Sequence, residues 1–376
     1  GIDPSLLTDD ALSLASRPEV DIVIELIGGI DPARNLIMTA LANKAAVITA
    51  NKALLAVAGP QIYAAAESNG VDLYYEAAVA GAIPIIRPLR ESLVGDQITA
   101  VKGIVNGTTN FILEKMYDEG AAYQDVLVEA QRLGYAEADP TADVEGFDAA
   151  SKAAILAGLA FHTRVVLDDV SREGITGVTA ADIAAAKEMG CTVKLLARCE
   201  LGPNGQVSAG VHPTMVPLSH PLAGVRGAYN AVFIESWYAG RLMFMGPGAG
   251  GAPTASAVMG DIVTAARNRV RGTVGHGANA YVDREIMPAG EERSKFYVSM
   301  RVEDRPGVLA EVSATFARHD VSLQAVRQNP GPSGEAVRLN VMTHPGRLVD
   351  ITQAVSELEK LASVGAGVTM MRVEGE

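Results

Sequence analysis

Short apolar runs alternate with helical patterns over the first quarter of the chain. VDIVIELIGG (20–29) is a continuous apolar run closed by two glycines, the pattern of a strand buried on both faces. DPARNLIMTALANK (31–44) has helical spacing, with Asp31 as N-cap and Pro32 at the first helical position. AAVITANK (45–52) reads as a second strand, and PQIYAAAESNG (60–70) as a helix closed by Gly70. VDLYYEAAV (71–79) is a third strand, followed by a helix over 83–95. This alternation predicts an α/β fold with a parallel sheet covered by helices on both faces.

The pattern changes after Asp96. QITAVKGIVNG reads as a strand, and helices are predicted over 108–118, 123–133 and 147–161. The strands TVKLLARCE, QVSAGVHPTMV, NAVFIESWYAG and RLMFMG follow, then GPGAGG (246–251) and a long helix over 254–270. These elements predict a mixed α+β unit. A polar linker over 283–294 leads into residues 294–376, whose order is strand, helix, strand, hairpin turn, strand, helix, strand. That βαββαβ order predicts a separate, ferredoxin-like unit, with sheet edges available to another copy of the chain.

The chain has 376 residues, enough for two or three domains with cores of their own. Its net charge of −13 argues against nucleic acid or an anionic membrane as partner. No apolar run reaches membrane-spanning length. Cys191 and Cys199 make neither a disulfide framework nor a metal site, and the default setting is cytoplasmic. The chain opens on Gly1 without a visible signal peptide and reads as the continuation of a longer gene product.

Candidate chemistry concentrates in RLGYAEADPTADVEGFDAASKAAILAG (132–158). Five acids, Glu137, Asp139, Asp143, Glu145 and Asp148, precede an apolar helix that carries one cation, Lys152. Asp148 and Lys152 stand at i and i+4 on one helix face, which Leu156 and Leu159 continue as apolar. A surface ion pair is the simpler explanation of such spacing. In a partly dry cleft the same ammonium would stay protonated and donate to a carbonyl oxygen, while the acids bind a substrate amine.

Other stretches are less specific. Asn51 and Lys52 lie just past the carboxyl end of a strand, where ligands of open α/β sheets bind, although Asn51 also suits an N-cap. Asn106, Thr108 and Thr109 in NGTTNFIL are explained by helix capping. In YEAAVAGAIP, Glu76 precedes a loop whose carbonyls could wrap a hard cation; pairing with a neighbouring base is the alternative. GPGAGG satisfies G-x-G-x-x-G, but no second strand ending in an acid follows it. Its amides could still approach a cofactor at a helix N-terminus, or serve only as a tight turn.

GIVNGTTNFIL and LGYAEADPTADVEGFDAASK, with ITANK, YEAAVAGAIP and GPGAGGAPTASAV in order, closely resemble the bacterial homoserine dehydrogenases that carry a C-terminal ACT domain. The resemblance spans essentially the whole chain. It implies a partial Rossmann-type dinucleotide-binding domain at 1–95, completed by 252–282. A catalytic and dimerisation domain over 96–251 and an ACT regulatory domain over 294–376 complete the division. It implies reversible reduction of L-aspartate 4-semialdehyde to L-homoserine with NADPH or NADH, for threonine and methionine biosynthesis, under feedback by threonine.

Carried onto this sequence, the resemblance makes Lys152 the proton donor and Glu137, Asp143 and Asp148 the substrate contacts. Lys52, Gly28, Gly29, Gly250 and Gly251 fall to the cofactor. Glu76 with the carbonyls of Val79, Gly81 and Ile83 would hold sodium, and Gly307 would lie at the effector site. A homodimer or homotetramer is implied. The family's first glycine loop is not found, so a strand, loop, helix and strand of about 60 residues are expected ahead of Gly1. Two other functions are open to a chain of this pattern. An amino-acid-binding regulatory chain would show no turnover. Aspartate-semialdehyde dehydrogenase would need a cysteine nucleophile at a strand-to-helix turn, which neither cysteine offers.

Overall fold

The structure, a computed structural model, describes residues 2–275, 277, 282–329 and 336–375. Helix α1 (Ala11–Ala15) leads into β1 (Ile22–Glu25), α2 (Asp31–Ala42), β2 (Ala46–Thr49), α3 (Lys52–Asn69) and β3 (Leu73–Tyr74). The strands pair in parallel in the order β1-β2-β3, with Val23 opposite Val47 and Ile48 opposite Tyr74. Helix α2 buries Ala33, Ile37 and Leu41, and α3 buries Leu54, Ala58 and Ile62, in one core. The long helix Gly251–Arg271 returns to this sheet and packs Val258 and Ala265 with Ile48 and Tyr74.

Several boundaries differ from the pattern-based ones. Helix α3 starts at Lys52 and runs through Pro60, eight residues earlier than expected; Asn51 caps it by accepting from the Leu54 amide at 3.1 Å. Burial of Leu54, Leu55 and Ala58 outweighs the backbone bond that proline removes. Asp31 lies in the first turn of α2 rather than at its cap, because Ile30 takes the cap position without a side-chain bond. The third strand is only Leu73–Tyr74, and of the helix expected over 83–95 a wide π-type turn, Pro88–Ser92, forms. Both Pro84 and Pro88 withhold an amide there.

The second unit contains β4 (Ile98–Ile104), α4 (Gly107–Glu119), α5 (Tyr123–Arg132), α6 (Thr141–Val144), α7 (Phe147–Ala160), β5 (Ser171–Arg172) and α8 (Ala180–Glu188). It continues with β6 (Cys191–Leu201), β7 (Val207–Pro217), β8 (Tyr229–Ser236), β9 (Gly240–Pro247) and then α9, the helix Gly251–Arg271. Helix α7 is its centre, with 11 of 14 residues buried. Six alanines and one glycine let neighbouring elements approach it closely.

The C-terminal unit is β10 (Arg293–Val302), α10 (Val308–Arg318), β11 (Leu323–Asn329), β12 (Val337–Thr343), β13 (Gly346–Arg347), α11 (Leu348–Leu358) and β14 (Thr369–Val373). This is the expected βαββαβ order with one extra short strand. The turn between β11 and β12 lies outside the described residues over 330–335. Its core is its own, built on Phe296, Phe316, Leu339 and Leu358.

Its sheet, however, is not separate. The strand order β11-β12-β10-β14-β7-β6-β4-β8-β9 makes one sheet across both units. Strand β14 pairs in parallel with β7, Arg372 opposite Thr214 and Val373 opposite Met215. One of the two edges of the C-terminal sheet, that of β14, is therefore occupied from within the chain, while β11 ends the sheet on the other side. Glu374 extends this seam: its amide bonds Met215 O at 2.8 Å, and its buried carboxylate meets Lys102 Nζ at 2.7 Å and Arg198 Nε at 3.5 Å.

Candidate active site

Strand β4 ends at Ile104, and the chain turns through Val105 and Asn106 into α4. Asn106 caps α4 by accepting from the Thr109 amide at 2.9 Å. The capping role assigned to it is real, yet its Nδ2 also donates to Asp143 Oδ1 at 2.7 Å and Asp148 Oδ2 at 3.0 Å. Lys152, one turn along α7 from Asp148, donates to Asp148 Oδ2 and to Val105 O, both at 2.6 Å. Lys52, at the start of α3, reaches Asp148 Oδ1 at 3.3 Å. Two lysines, two carboxylates and one carboxamide from four elements thus share a cleft.

The burial of these groups is graded. Lys152 is 8% exposed, whereas the Lys52 side chain is 41% exposed. The simple surface pair considered for Asp148 and Lys152 is excluded by that burial. For Asp148, burial alone would raise the carboxyl. Lys152 and Lys52 outweigh it and hold the group at about 2, below its ordinary 3.8. The first turn of a helix favours the anion as well. Asp143 moves the other way: burial raises its carboxyl, and the Asp148 charge adds to the rise. Asp148 is the fixed anion of the pair, set to hold the Lys152 ammonium in place.

The remaining acids divide. Asp139 accepts from the Thr141 amide at 3.1 Å, and Glu145 from the Thr176 hydroxyl at 2.9 Å. Both serve local structure. Glu137 lies exposed on the loop between α5 and α6, and among the described residues its main-chain carbonyl is bonded by Gln131 at 3.0 Å and its carboxylate by none. The structure does not bring Glu137 into contact with the lysine cluster.

On the sheet side, Gly28 and Gly29 follow β1 with φ of 76° and 74°, a doubly left-handed turn that non-glycine residues resist. Open space surrounds the Cβ position of each. The turn is fixed from below by Glu25, which periodicity alone had placed as one more strand residue. Its buried carboxylate accepts from the Ile27 and Gly28 amides at 2.8 and 2.9 Å and from the Thr49 hydroxyl at 2.6 Å. Asn51 Nδ2 closes the arrangement on Gly29 O at 2.8 Å. This open edge beyond β1 and β2, beside Lys52, suits a dinucleotide.

Glu76 is buried, and its carboxylate accepts from the Ile86 and Arg87 amides at 2.7 and 3.1 Å. Burial nonetheless raises it. The alternative of a basic partner is met in part, since Arg87 Nε lies 3.9 Å away. The Arg87 guanidinium binds Asp261 of α9 directly, and Asp261 also accepts from the Glu76 amide at 2.9 Å. No signal in the local sequence pointed to Asp261. Gly250 is the cap of α9 with φ 118°, and Gly251 is the first helical residue. Gly307 caps α10 with φ 97°. The cysteine alternative fails: Cys191 and Cys199 are buried in β6, and burial pushes the Cys199 thiol up to about 12.

Comparison with known proteins gives this arrangement its context. Residues 84–263 match the homoserine dehydrogenase family model, residues 2–76 its NAD-binding domain, and residues 296–363 the ACT domain. The homoserine dehydrogenase of Corynebacterium glutamicum is 53% identical over 378 residues, covering 100% of this chain and 84% of that protein. The chain belongs to the homoserine dehydrogenase family. It is an NAD(P)-dependent oxidoreductase of that family. The Mycobacterium tuberculosis homoserine dehydrogenase is also 53% identical, over 100% of this chain and 87% of its own length. The crystal structure of a homoserine dehydrogenase from Thiobacillus denitrificans superposes with a TM-score of 0.93 at 42% identity, over 98% of this chain and 85% of that one. A hyperthermophilic archaeal homoserine dehydrogenase in complex with NADPH matches with a TM-score of 0.60 at 31% identity, over 69% of this chain and 75% of that one. The fold class expected from the sequence, a parallel sheet, a mixed catalytic sheet and a C-terminal ACT domain, is the one these matches describe.

Proposed function

We propose that the protein reduces L-aspartate 4-semialdehyde to L-homoserine reversibly with NADPH or NADH, on the route to threonine and methionine. The observation that carries the reading is Lys152, an ammonium 8% exposed and held between Val105 O and Asp148. A nicotinamide cofactor held in this cleft would supply the hydride. Lys152 gives its proton to the aldehyde oxygen as the C–H bond forms at the aldehyde carbon, and takes it back in the reverse direction. Asp148 keeps that ammonium charged and aimed. Asp143 and Asp148, with Glu137 brought in from its exposed loop, bind the substrate ammonium. Lys52, in contact with Asp148 and next to the open sheet edge, lies between substrate and cofactor. Gly28 and Gly29, with Gly250 and Gly251 from the other side, line the cofactor cleft.

Sodium would be held by Glu76, whose carboxylate oxygens each accept one amide and keep a further lone pair, together with the main-chain carbonyls of Val79, Gly81 and Ile83. The ACT domain is read as the sensor of threonine, with Gly307 at the effector site, in a cytoplasmic homodimer or homotetramer. The reading is tested by mixing the full-length protein with NADPH and aspartate 4-semialdehyde and following NADPH oxidation, with threonine added in a second series. Homoserine formation supports it. A protein that binds threonine but turns over neither substrate would be the regulatory chain instead.

A further inference from the structure

Four backbone segments meet beside the lysine cluster with almost no side chain between them. A Cβ on Gly81 would collide with the Gly248 carbonyl, one on Gly107 with the Ala228 carbonyl, and one on Gly248 with the Asn230 side chain. The Ala82 amide donates to Pro247 O at 3.1 Å. Gly107 is the first residue of α4, directly after the Val105–Asn106 turn that receives Lys152. This floor therefore runs from the catalytic lysine to the glycine loop that opens α9.

Asn230 sits inside that floor. It lies on β8, opposite Gly246 of β9, and is 1% exposed. Among the described residues neither its Nδ2 nor its Oδ1 has a hydrogen-bond partner. A carboxamide stripped of water without compensation is a net cost to the fold. Nothing in the packing asks for polarity here: on the same face of the strand the next residues are Val232 and Ile234, both wholly buried. The group against which Asn230 packs is the Gly248 peptide, where β9 ends and α9 begins; Gly248 and Gly250, between the two elements, make backbone rotation cheap.

We infer that Asn230 is a positioning residue of the cofactor and substrate cleft, whose carboxamide bonds the main chain of loop 246–250 when ligand draws that loop into its working position. The inference rests on the dehydrogenase reading given above. Both polar atoms then gain partners, a donor for a loop carbonyl and an acceptor for a loop amide. The amides of Gly250 and Gly251 at the start of α9 are held toward the ligand. Asn230 touches no reacting atom; it acts through Gly248.

The test uses the full-length enzyme with Asn230→Leu, close in size but apolar, and Asn230→Ala. Without ligand, Asn230→Leu is expected to unfold at the wild-type temperature or above it, since it removes an unsatisfied group. With NADP and homoserine present, its thermal stabilisation should shrink, and kcat/KM for the cofactor should fall about threefold to tenfold. A purely structural asparagine gives the opposite pattern: both variants lose stability without ligand, and their ligand-induced shift and kcat/KM stay at wild-type values. That result overturns the inference. A crystal structure of the wild-type enzyme with NADP and homoserine decides the matter even where variants fold poorly. Asn230 within hydrogen-bond distance of the main chain of 246–250 upholds it, and an Asn230 bonded elsewhere or unbonded overturns it. Lack of any turnover by the wild type would instead refute the dehydrogenase reading itself.

Discussion

Replacing Asp148 by asparagine keeps the shape of the site and removes one charge. That carboxylate is bonded by Lys152 at 2.6 Å and Asn106 at 3.0 Å and lies 3.3 Å from Lys52. Its folded value of about 2 against an ordinary 3.8 corresponds to about 2 kcal/mol of stabilisation, fully present above about pH 4. Because the folded value is the lower one, this contribution is lost as pH falls from about 4 toward 2. Asp148→Asn forfeits it at neutral pH and leaves the Lys152 ammonium beside Lys52 with neutral acceptors, Val105 O and the new carboxamide oxygen, in place of the anion. The total cost is about 2–4 kcal/mol. The acid branch of the variant's stability curve should also be shallower than that of the wild type. Turnover should fall about 10–100-fold, as the general acid loses its anion. Urea denaturation across pH and NADPH oxidation with aspartate 4-semialdehyde measure the two effects. A variant with wild-type turnover and an unaltered acid branch would refute the claim that Asp148 holds Lys152.

Glu137→Gln should raise the Michaelis constant for homoserine about tenfold, the worth of one bond to a charged amine, with little change in kcat; an unchanged constant would return Glu137 to a surface role. Glu374→Ala should destabilise the protein by about 2–4 kcal/mol in chemical denaturation, because Lys102 and Arg198 are buried and lose their most buried anion, Lys102 keeping Glu200 and Glu235 and Arg198 keeping Glu200 and the Ser294 hydroxyl. A change below about 0.5 kcal/mol would mean that the seam between β14 and β7 carries no load. Cutting the chain before Arg293 should remove the response to threonine but also lower the melting temperature, since β7 loses its partner strand; an equally inhibited truncated enzyme would refute the regulatory reading.

The chemistry was more legible in the sequence than the boundaries were. Asp148 and Lys152 are four residues apart on one helix, so their contact follows from helical geometry, and the apolar continuation of that face announced their burial. The other members of the cluster come from distant segments. Asn106 reads as a cap, which it is, and nothing local shows that the same side chain also bridges Asp143 and Asp148. Asp261 was invisible for a related reason, since the Glu76 amide and Arg87 reach it only through the fold; Glu25 bonds amides two and three residues along, but its tie to Thr49 also exists only in the fold. Pro60 misled the reading of α3, because tertiary burial holds a helix there that local propensity would end. The joined sheet was hidden too, since a pairing of only two residues at the end of β14 leaves no pattern of its own.

The central claim is that Lys152 transfers the proton in carbonyl reduction. The most direct measurement is single-turnover reduction of aspartate 4-semialdehyde by the full-length Lys152→Ala enzyme, preloaded with NADPH and shown to be folded. The account predicts a rate lower than wild type by about 10² or more, with NADPH still bound. A rate within a few fold of wild type would contradict it, and the proton would have to come from elsewhere in the cleft.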